Sequence, residues 1–454
     1  MFFSGIRKVL VLGLGKSGCA AALLARVRNF EVTAVDETEN EFLLKQKRDL
    51  ENEGVNVYLG YKNEFLPPSD MIIISPGIGE HSFLGKIALN SGVRIISEIE
   101  FAFHYISKPI IAITGTNGKT TVTELCTHVL KNLGVKAVFA GNIGVPLSDI
   151  VRDEVSCDFI VLEISSFQLH YCAEFKPHIA VVLNVESDHI DWHGSFEAYA
   201  EDKFKIGVNQ GAEDFLILNE YLLPLMAKSK YELSGKSQTF SIKSKSALFH
   251  VLEENIFSGK DGVCSVHEMG MMGKCPHNIE NSLACIAVCK DLGFGFKEII
   301  KSFEGFKTGE HRLEFIGEKN GVKFINDSKS TNPLSMIAAL EAVGESHNVC
   351  LIAGGLDKDM DFSPLLKYKG KIKKIFLVGK SKNKLENLFR HVIDYGVFDS
   401  FEQSVNAACD CAESGDAVLL SPGCASMDMF KNYIERGIFF KEIIKRRCFE
   451  NEGV

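Results

Sequence analysis

The stretch that most constrains this chain runs from Pro109 to Leu133, PIIAITGTNGKTTVTELCTHVLKNL. Ile110 to Ile113 is a short apolar, β-branched run and predicts a buried strand. Gly115, Thr116, Asn117 and Gly118 follow as a tight loop. From Thr120 the apolar residues Val122, Leu125, Cys126, Val129, Leu130 and Leu133 fall at helical spacing, and Gly134 stops the helix. Strand, glycine loop and helix gather backbone N–H groups and a helix N-terminus at one point. That is an anion site, to which Lys119 adds a full charge. Thr120 supplies a hydroxyl suited to Mg²⁺. Only two residues separate Gly115 from Gly118, where the common phosphate loop has four. A plain glycine turn with an exposed lysine is the bland alternative, and the flanking strand and helix weigh against it.

Upstream, Val9 to Leu12 reads as a strand, GLGKSG places Gly13, Gly15 and Gly18, and Cys19 to Val27 reads as a helix. Glu31 to Val35 is a second strand ending at Asp36. This is the dinucleotide fingerprint, a fair sign of a nucleotide-type ligand and a weak sign of NAD. Glycines that serve only helix–sheet packing give the same pattern. Met71 to Ile74 is another strand, and Ser75-Pro76-Gly77 turns outward at the end where parallel sheets bind ligands. A first domain over residues 1–97 is expected.

A second domain, 98–308, carries the phosphate loop. Phe159 to Leu162 predicts a strand with Glu163 at its end, either a Mg²⁺-side carboxylate or a cap for the next helix. Ile179 to Asn184 is a further strand, with His189 just beyond it in NVESDHIDWHG. Lys203 and Lys205 fall on a helix after Ser195 and by themselves read as surface lysines. Asn278 and Asn281 open a helix and by themselves read as caps. A third domain, 309–454, has strands at Val322 to Ile325, Val349 to Ile352, Ile375 to Val378 and Ala417 to Leu420. Each ends in a small or polar loop, as in a second open α/β sheet with its own ligand edge.

A chain of 454 residues fits about three domains at ~150 residues each. A formal charge of −9 gives no support for nucleic-acid binding. Lys445, Arg446 and Arg447 read as a helix end whose cations complement the dipole. The thirteen cysteines include no CxxC pair. Cys409 with Cys411, or Cys285 with Cys289, could hold a metal, but scattered reduced thiols fit better. No apolar run approaches the ~20 residues of a membrane helix. The opening MFFSGIRKVLVLGLG is too short and glycine-rich in its apolar part for a signal peptide. The default location is then the cytoplasm.

GTNGKTT at Gly115, GNIG at Gly141, LEISSFQL at Leu162, HNIEN at His277, EHRLE at Glu310, NDSKSTN at Asn326 and SPGCAS at Ser421 occur in that order. In these motifs the chain resembles the Mur ligases, ATP-dependent amide-forming enzymes of peptidoglycan precursor synthesis, over nearly its whole length. SSFQL and SPGCASMD resemble the D-glutamate-adding branch. The DNPR-type motif of the diaminopimelate- or lysine-adding ligases is absent, as is the GxHGKT loop of the alanine-adding ones.

The resemblance implies an α/β fold of three domains. These are a Rossmann-like N-terminal domain, a central P-loop-type mononucleotide-binding domain and a Rossmann-like C-terminal domain. It implies ATP and Mg²⁺ as cofactors, and UDP-N-acetylmuramoyl-L-alanine and D-glutamate as substrates. It implies a monomer with no nucleic-acid or membrane partner. The loop Gly115, Thr116, Asn117, Gly118, Lys119, Thr120 and Thr121 would hold the ATP phosphates, with Asn278, Asn281, Arg312 and Asp327 around the nucleotide. Thr120, Glu163, His189 and Lys203 would hold metal, Lys203 as a carbamate. Lys119, Lys203, His189 and Lys329 would be catalytic. Gly15, Lys16, Ser17, Asp36 and Glu37 would surround the UDP, and Asn142 the muramoyl part. Thr331, Lys358, Ser426 and Tyr433 would bind D-glutamate, Tyr433 standing where phenylalanine is expected.

Three rivals remain at this stage: a ligase adding another amino acid or a folylpolyglutamate synthetase, an NAD-dependent oxidoreductase, and a non-catalytic nucleotide-binding regulator. SPGCAS and the UDP-type first domain weigh against the other ligases. Lys119, Glu163 and the third domain weigh against the oxidoreductase.

Overall fold

The computed structural model describes residues 2–344, 346–357 and 359–449. The chain divides into two units, Met1–Phe306 and Lys307–Val454. The first unit holds two sheets and the second unit one.

The first sheet comprises β1 (Lys8–Leu12), β2 (Glu31–Val35), β3 (Asn56–Tyr58), β4 (Met71–Ile74) and β5 (Arg94–Ser97). Their order is β3-β2-β1-β4-β5 and every pair is parallel. Leu10, Leu12, Ile72 and Ile74 are buried on one face, and Val9, Val11, Met71 and Ile73 on the other. Burial on both faces explains why these strands read as continuous apolar runs. The order reverses beside β1, which places the Gly13–Gly18 loop at the switch point where such sheets take ligands.

The second sheet comprises β6 (Ile110–Thr114), β7 (Ala137–Gly141), β8 (Phe159–Glu163), β9 (Ile179–Val182), β10 (Phe215–Asn219), β11 (Lys236–Ser241), β12 (Phe249–Leu252), β13 (Asn255–Ser258) and β14 (Asp261–Ser265). Its order is β14-β13-β12-β11-β10-β9-β6-β8-β7, parallel except for the two pairs at the β14 edge. The phosphate-loop strand β6 lies between β9 and β8. The residues after β6, β8 and β9 therefore share one edge.

The two sheets of this unit are joined through the helix Glu98–Phe103, capped by Ser97. Glu98 is almost fully buried and accepts a 2.6 Å hydrogen bond from the backbone N–H of Ser148. Glu100 accepts from the N–H groups of Glu174 and Phe175 at 2.8 and 2.9 Å. Burial pushes the Glu98 carboxyl up to about 7. A raised native pKa means that the folded state binds this proton more tightly than the unfolded one. Its contribution is complete below the unfolded value of about 4.5 and is lost as pH rises through about 7. Glu98→Gln, which mimics the neutral acid, is expected to flatten the fall in melting temperature between pH 5.5 and 8 by several degrees. Calorimetry on both proteins checks this, and parallel curves would refute it.

The third sheet comprises β15 (Glu314–Lys319), β16 (Val322–Asn326), β17 (Val349–Ala353), β18 (Ile372–Leu377), β19 (Tyr395–Val397) and β20 (Ala417–Leu420). Its order is β15-β16-β20-β17-β18-β19, with β15 alone antiparallel. Among the described residues no helix is long and apolar enough to cross a membrane, and no cluster of His, Cys, Asp and Glu is suited to a metal. All thirteen cysteines are free thiols. Arg446 and Arg447 pair with Glu402 and with Asp410 and Asn406, a specific contact where the sequence suggested only dipole complementarity.

Candidate functional site

The phosphate loop is built as its sequence demands. All five residues of β6 are buried, and Gly118 takes a left-handed φ of +83° at the N-cap of the helix Lys119–Asn132. A Cβ at Gly118 would stand 2.6 Å from Asn281 Oδ1, so both the conformation and the space require glycine. The N-cap glycine of this helix has no side chain to cap it, and the positive end of the helix dipole lies at the loop.

Two lysines meet at the loop. Lys119 Nζ donates to the carbonyls of Gly115 and Thr116 at 2.8 and 2.9 Å. Lys203 Nζ donates to the same Gly115 carbonyl at 2.8 Å and lies 4.5 Å from the centroid of the Tyr199 ring. Lys203 is only 1% exposed, which corrects its sequence-based reading as a surface residue. Burial, reinforced by the charge of Lys119, pushes its amine well below the usual lysine range. Its amine therefore gives up a proton more readily than an exposed lysine does.

Glu163 ends β8 in register with Ile113, next to the loop. Its Oε1 accepts from Asn142 Nδ2 at 2.9 Å, and its Oε2 is buried without a hydrogen-bond partner. Thr116 Oγ1 lies 3.1 Å from the Tyr199 hydroxyl and accepts from the Glu186 N–H at 2.9 Å. Asn184 brackets Asn117 with two hydrogen bonds at 2.8 and 3.1 Å. His189 follows β9 with a φ of +55°, stacks edge-on against Phe167 and faces Asp188 at 3.6 Å. Thr120 and Thr121 are buried in the first turn of the helix.

Asn278 and Asn281 lie inside the helix Pro276–Asp291, whose N-cap is Cys275. They are therefore not its caps. Asn281 closes over Gly118, and Asn278 donates to the Met271 carbonyl at 3.5 Å, one turn away.

At the first sheet, Gly18 is closed to any side chain, since a Cβ would meet the Gly13 carbonyl at 1.8 Å. Gly15 has open space around it and sits at the N-cap of the helix Lys16–Val27. The fingerprint thus divides into a packing glycine and an open one. Asp36 accepts from the N–H groups of Leu14 and Thr38 at 2.8 and 2.9 Å, and Glu37 from that of Leu84 at 2.7 Å. Lys16 is exposed and Ser17 half-buried at the same edge.

In the second unit, Asp327 follows β16 and accepts from Ser421 Oγ at 2.9 Å and the Leu313 N–H at 3.2 Å. Burial pushes its carboxyl up to about 7. Lys329 Nζ lies 4.0 Å from the centroid of the Tyr433 ring, and Ser328 Oγ donates to the Tyr433 carbonyl at 2.8 Å. The Gly423 N–H donates to the Ser330 carbonyl at 3.0 Å, which joins the loop of Thr331 to that of the buried Ser426. The charge of Arg312 reaches Asp327. Lys358 lies outside the described residues.

Sequence reasoning missed several supports. Tyr199 precedes Lys203 by one helical turn, a spacing that could have suggested it. Asp202, next to Lys203, accepts from His170 and His193 at 2.8 and 3.0 Å, and both imidazoles hold it far below the usual carboxylate range. Nothing in the linear pattern announces that pairing.

A buried carboxylate oxygen without a partner and a buried threonine hydroxyl are oxygen donors of the kind a hard divalent cation takes. Against known proteins, residues 7–97 match the Mur ligase MurD-like N-terminal domain, 113–289 the Mur ligase middle domain and 311–424 the Mur ligase glutamate ligase domain. A relative from Thermoanaerobacter pseudethanolicus, named UDP-N-acetylmuramoylalanine–D-glutamate ligase, is 38% identical over 96% of this chain and 98% of its own. One of the same name from Elusimicrobium minutum is 36% identical over 97% and 98%. Among solved structures, the UDP-N-acetylmuramate–alanine ligase MurC of Thermotoga maritima shares the fold with a TM-score of 0.61, at 16% identity over 97% and 99% of the chains. MurF ligase of the same organism, in complex with ADP, does so at 0.59 and 18%, over 98% and 97%.

Proposed function

The chain belongs to the Mur ligase family, and we propose that it joins D-glutamate to UDP-N-acetylmuramoyl-L-alanine while ATP becomes ADP and phosphate. The observation that carries this reading is the edge of the second sheet. There an uncapped helix, Lys119, Lys203 and Glu163 surround one loop built to take phosphates.

The chemistry explains why such a loop is needed. A carboxylate is a poor acyl donor, because its leaving group would be oxide. Its oxygen attacks the γ-phosphorus, ADP departs, and an acyl phosphate results. The D-glutamate amine attacks the carbonyl carbon, and the tetrahedral intermediate expels phosphate as the amine sheds a proton. Lys119 and the N-terminus of its helix neutralise charge on the phosphoryl oxygens. Lys329 is assigned to the transferred phosphoryl group.

When bound, Mg²⁺ supplies further neutralisation of the phosphates, and Thr120, Glu163, His189 and Lys203 would hold it. Lys203 would do so as a carbamate. In its neutral form the amine attacks CO₂, an N–C bond forms, a proton leaves to water, and the amine becomes an anionic ligand. Asn278, Asn281, Arg312 and Asp327 are assigned to the nucleotide. Gly15, Lys16, Ser17, Asp36 and Glu37 are assigned to the UDP and Asn142 to the muramoyl part. Thr331, Lys358, Ser426 and Tyr433 are assigned to D-glutamate. We place the reaction in the cytoplasm, in keeping with thirteen unpaired thiols.

Phosphate release is the test, with ATP, Mg²⁺ and UDP-N-acetylmuramoyl-L-alanine against a panel of D- and L-amino acids. Release that requires both the UDP-substrate and D-glutamate is expected. Release with another amino acid would move the chain to a sister activity. No release under any pairing would overturn the ligase reading.

A further inference from the structure

Arg436 has no exposed surface, a rare place for a guanidinium. It lies on the helix Tyr433–Ile444 and makes three hydrogen bonds, all to neutral groups. Nε donates to Ser328 Oγ at 3.0 Å, Nη2 to the Ser328 carbonyl at 2.8 Å and Nη1 to the Cys424 carbonyl at 3.1 Å. Among the described residues no carboxylate forms an ion pair with it. The carboxylates whose field reaches it are Asp428 and Asp327, and Asp327 is itself pushed toward neutrality by burial. Burial lowers the guanidinium to about 10, so it stays charged at neutral pH.

A buried charge without a counter-ion is costly, and folds retain one where something else compensates it. The two segments it ties together, Ser328–Thr331 and Cys424–Ser426, are the ones assigned above to the amino-acid substrate. Resting on that assignment, we propose that Arg436 is a positioning residue for the anionic amino acid. It pins the two loops to each other, and its charge, which forms no ion pair, biases the site they build toward a ligand with two carboxylates. Loop contact and charge are separable, because lysine keeps the charge and loses the fork, whereas glutamine keeps part of the hydrogen bonding and loses the charge.

The experiment is steady-state kinetics of the full chain and of Arg436→Gln and Arg436→Lys, with circular dichroism and melting to confirm folding. For Arg436→Gln the KM for D-glutamate is expected to rise tenfold or more, while the KM for ATP changes less than threefold. Arg436→Lys should recover a large part of that loss. Equal losses in both variants, or KM values for both substrates moving together, would make Arg436 a scaffold only and overturn the inference. If Arg436→Gln does not fold, Arg436→Lys decides: a D-glutamate KM raised as much as that for ATP overturns it too. An inactive wild-type chain would instead refute the ligase reading on which the inference rests.

Discussion

Replacing Lys203 with methionine is expected to lower kcat by about 10²–10³-fold, the scale at which removal of a charge-stabilising group at a reacting centre is felt. Two amines meet at one carbonyl. Lys119 and Lys203 both donate to the Gly115 oxygen at 2.8 Å. Two ammonium groups that share one carbonyl repel each other, and burial of one of them weakens the screening. Lys203 is the buried partner and the one pushed well below the usual range, which favours its neutral form. A neutral amine reacts with CO₂, and the carbamate turns repulsion from Lys119 into attraction. Methionine keeps an unbranched apolar stem in this buried place and should leave folding intact. Activity that falls in CO₂-free buffer and recovers with bicarbonate, and a carbamate resonance in ¹³C spectra that is missing from the variant, would confirm the assignment. Full activity without CO₂ would defeat it.

The strands of this protein are legible because parallel strands buried on both faces are uninterrupted apolar runs. Their ends are less so: β18 starts three residues before the expected Ile375, β9 stops two before the expected Asn184, and one group of misses shares a cause. The pattern stops at Ile113, Leu162 and Ile325, yet each strand continues by one residue, to Thr114, Glu163 and Asn326. All three are polar and buried, and all sit where a strand meets its ligand loop. Apolar periodicity cannot register a polar residue that is buried for function. The same blindness hid Lys203, which linear pattern places on a helix surface and tertiary packing places under the phosphate loop. It hid Arg436 as well, whose hydrogen-bond partner Ser328 is 108 residues away. The split of the GLGKSG glycines needed coordinates for a different reason. Gly15 and Gly18 look alike in sequence, and only the position of the Gly13 carbonyl tells the packed one from the open one.

Lys119→Ala is expected to reduce kcat/KM for ATP by about 10³-fold or more, the range seen when a cation is withdrawn from a transferring phosphoryl group. In the loop the ammonium braces two carbonyls, those of Gly115 and Thr116. A phosphate with full negative charge is a stronger acceptor than either. Arginine should not substitute, because the compact ammonium sits between carbonyls at 2.8 and 2.9 Å, where a planar fork has no matching geometry. Binding of the UDP-substrate should be largely spared, because its proposed contacts to the UDP lie on the first sheet, around Gly15 and Asp36. Calorimetric titration of both ligands therefore separates a local effect from unfolding. Loss of ATP binding with UDP-substrate binding retained identifies the loop as the phosphate site. Turnover within about tenfold of wild type would mean that the helix N-terminus alone carries the anion, and that Lys119 only braces the loop.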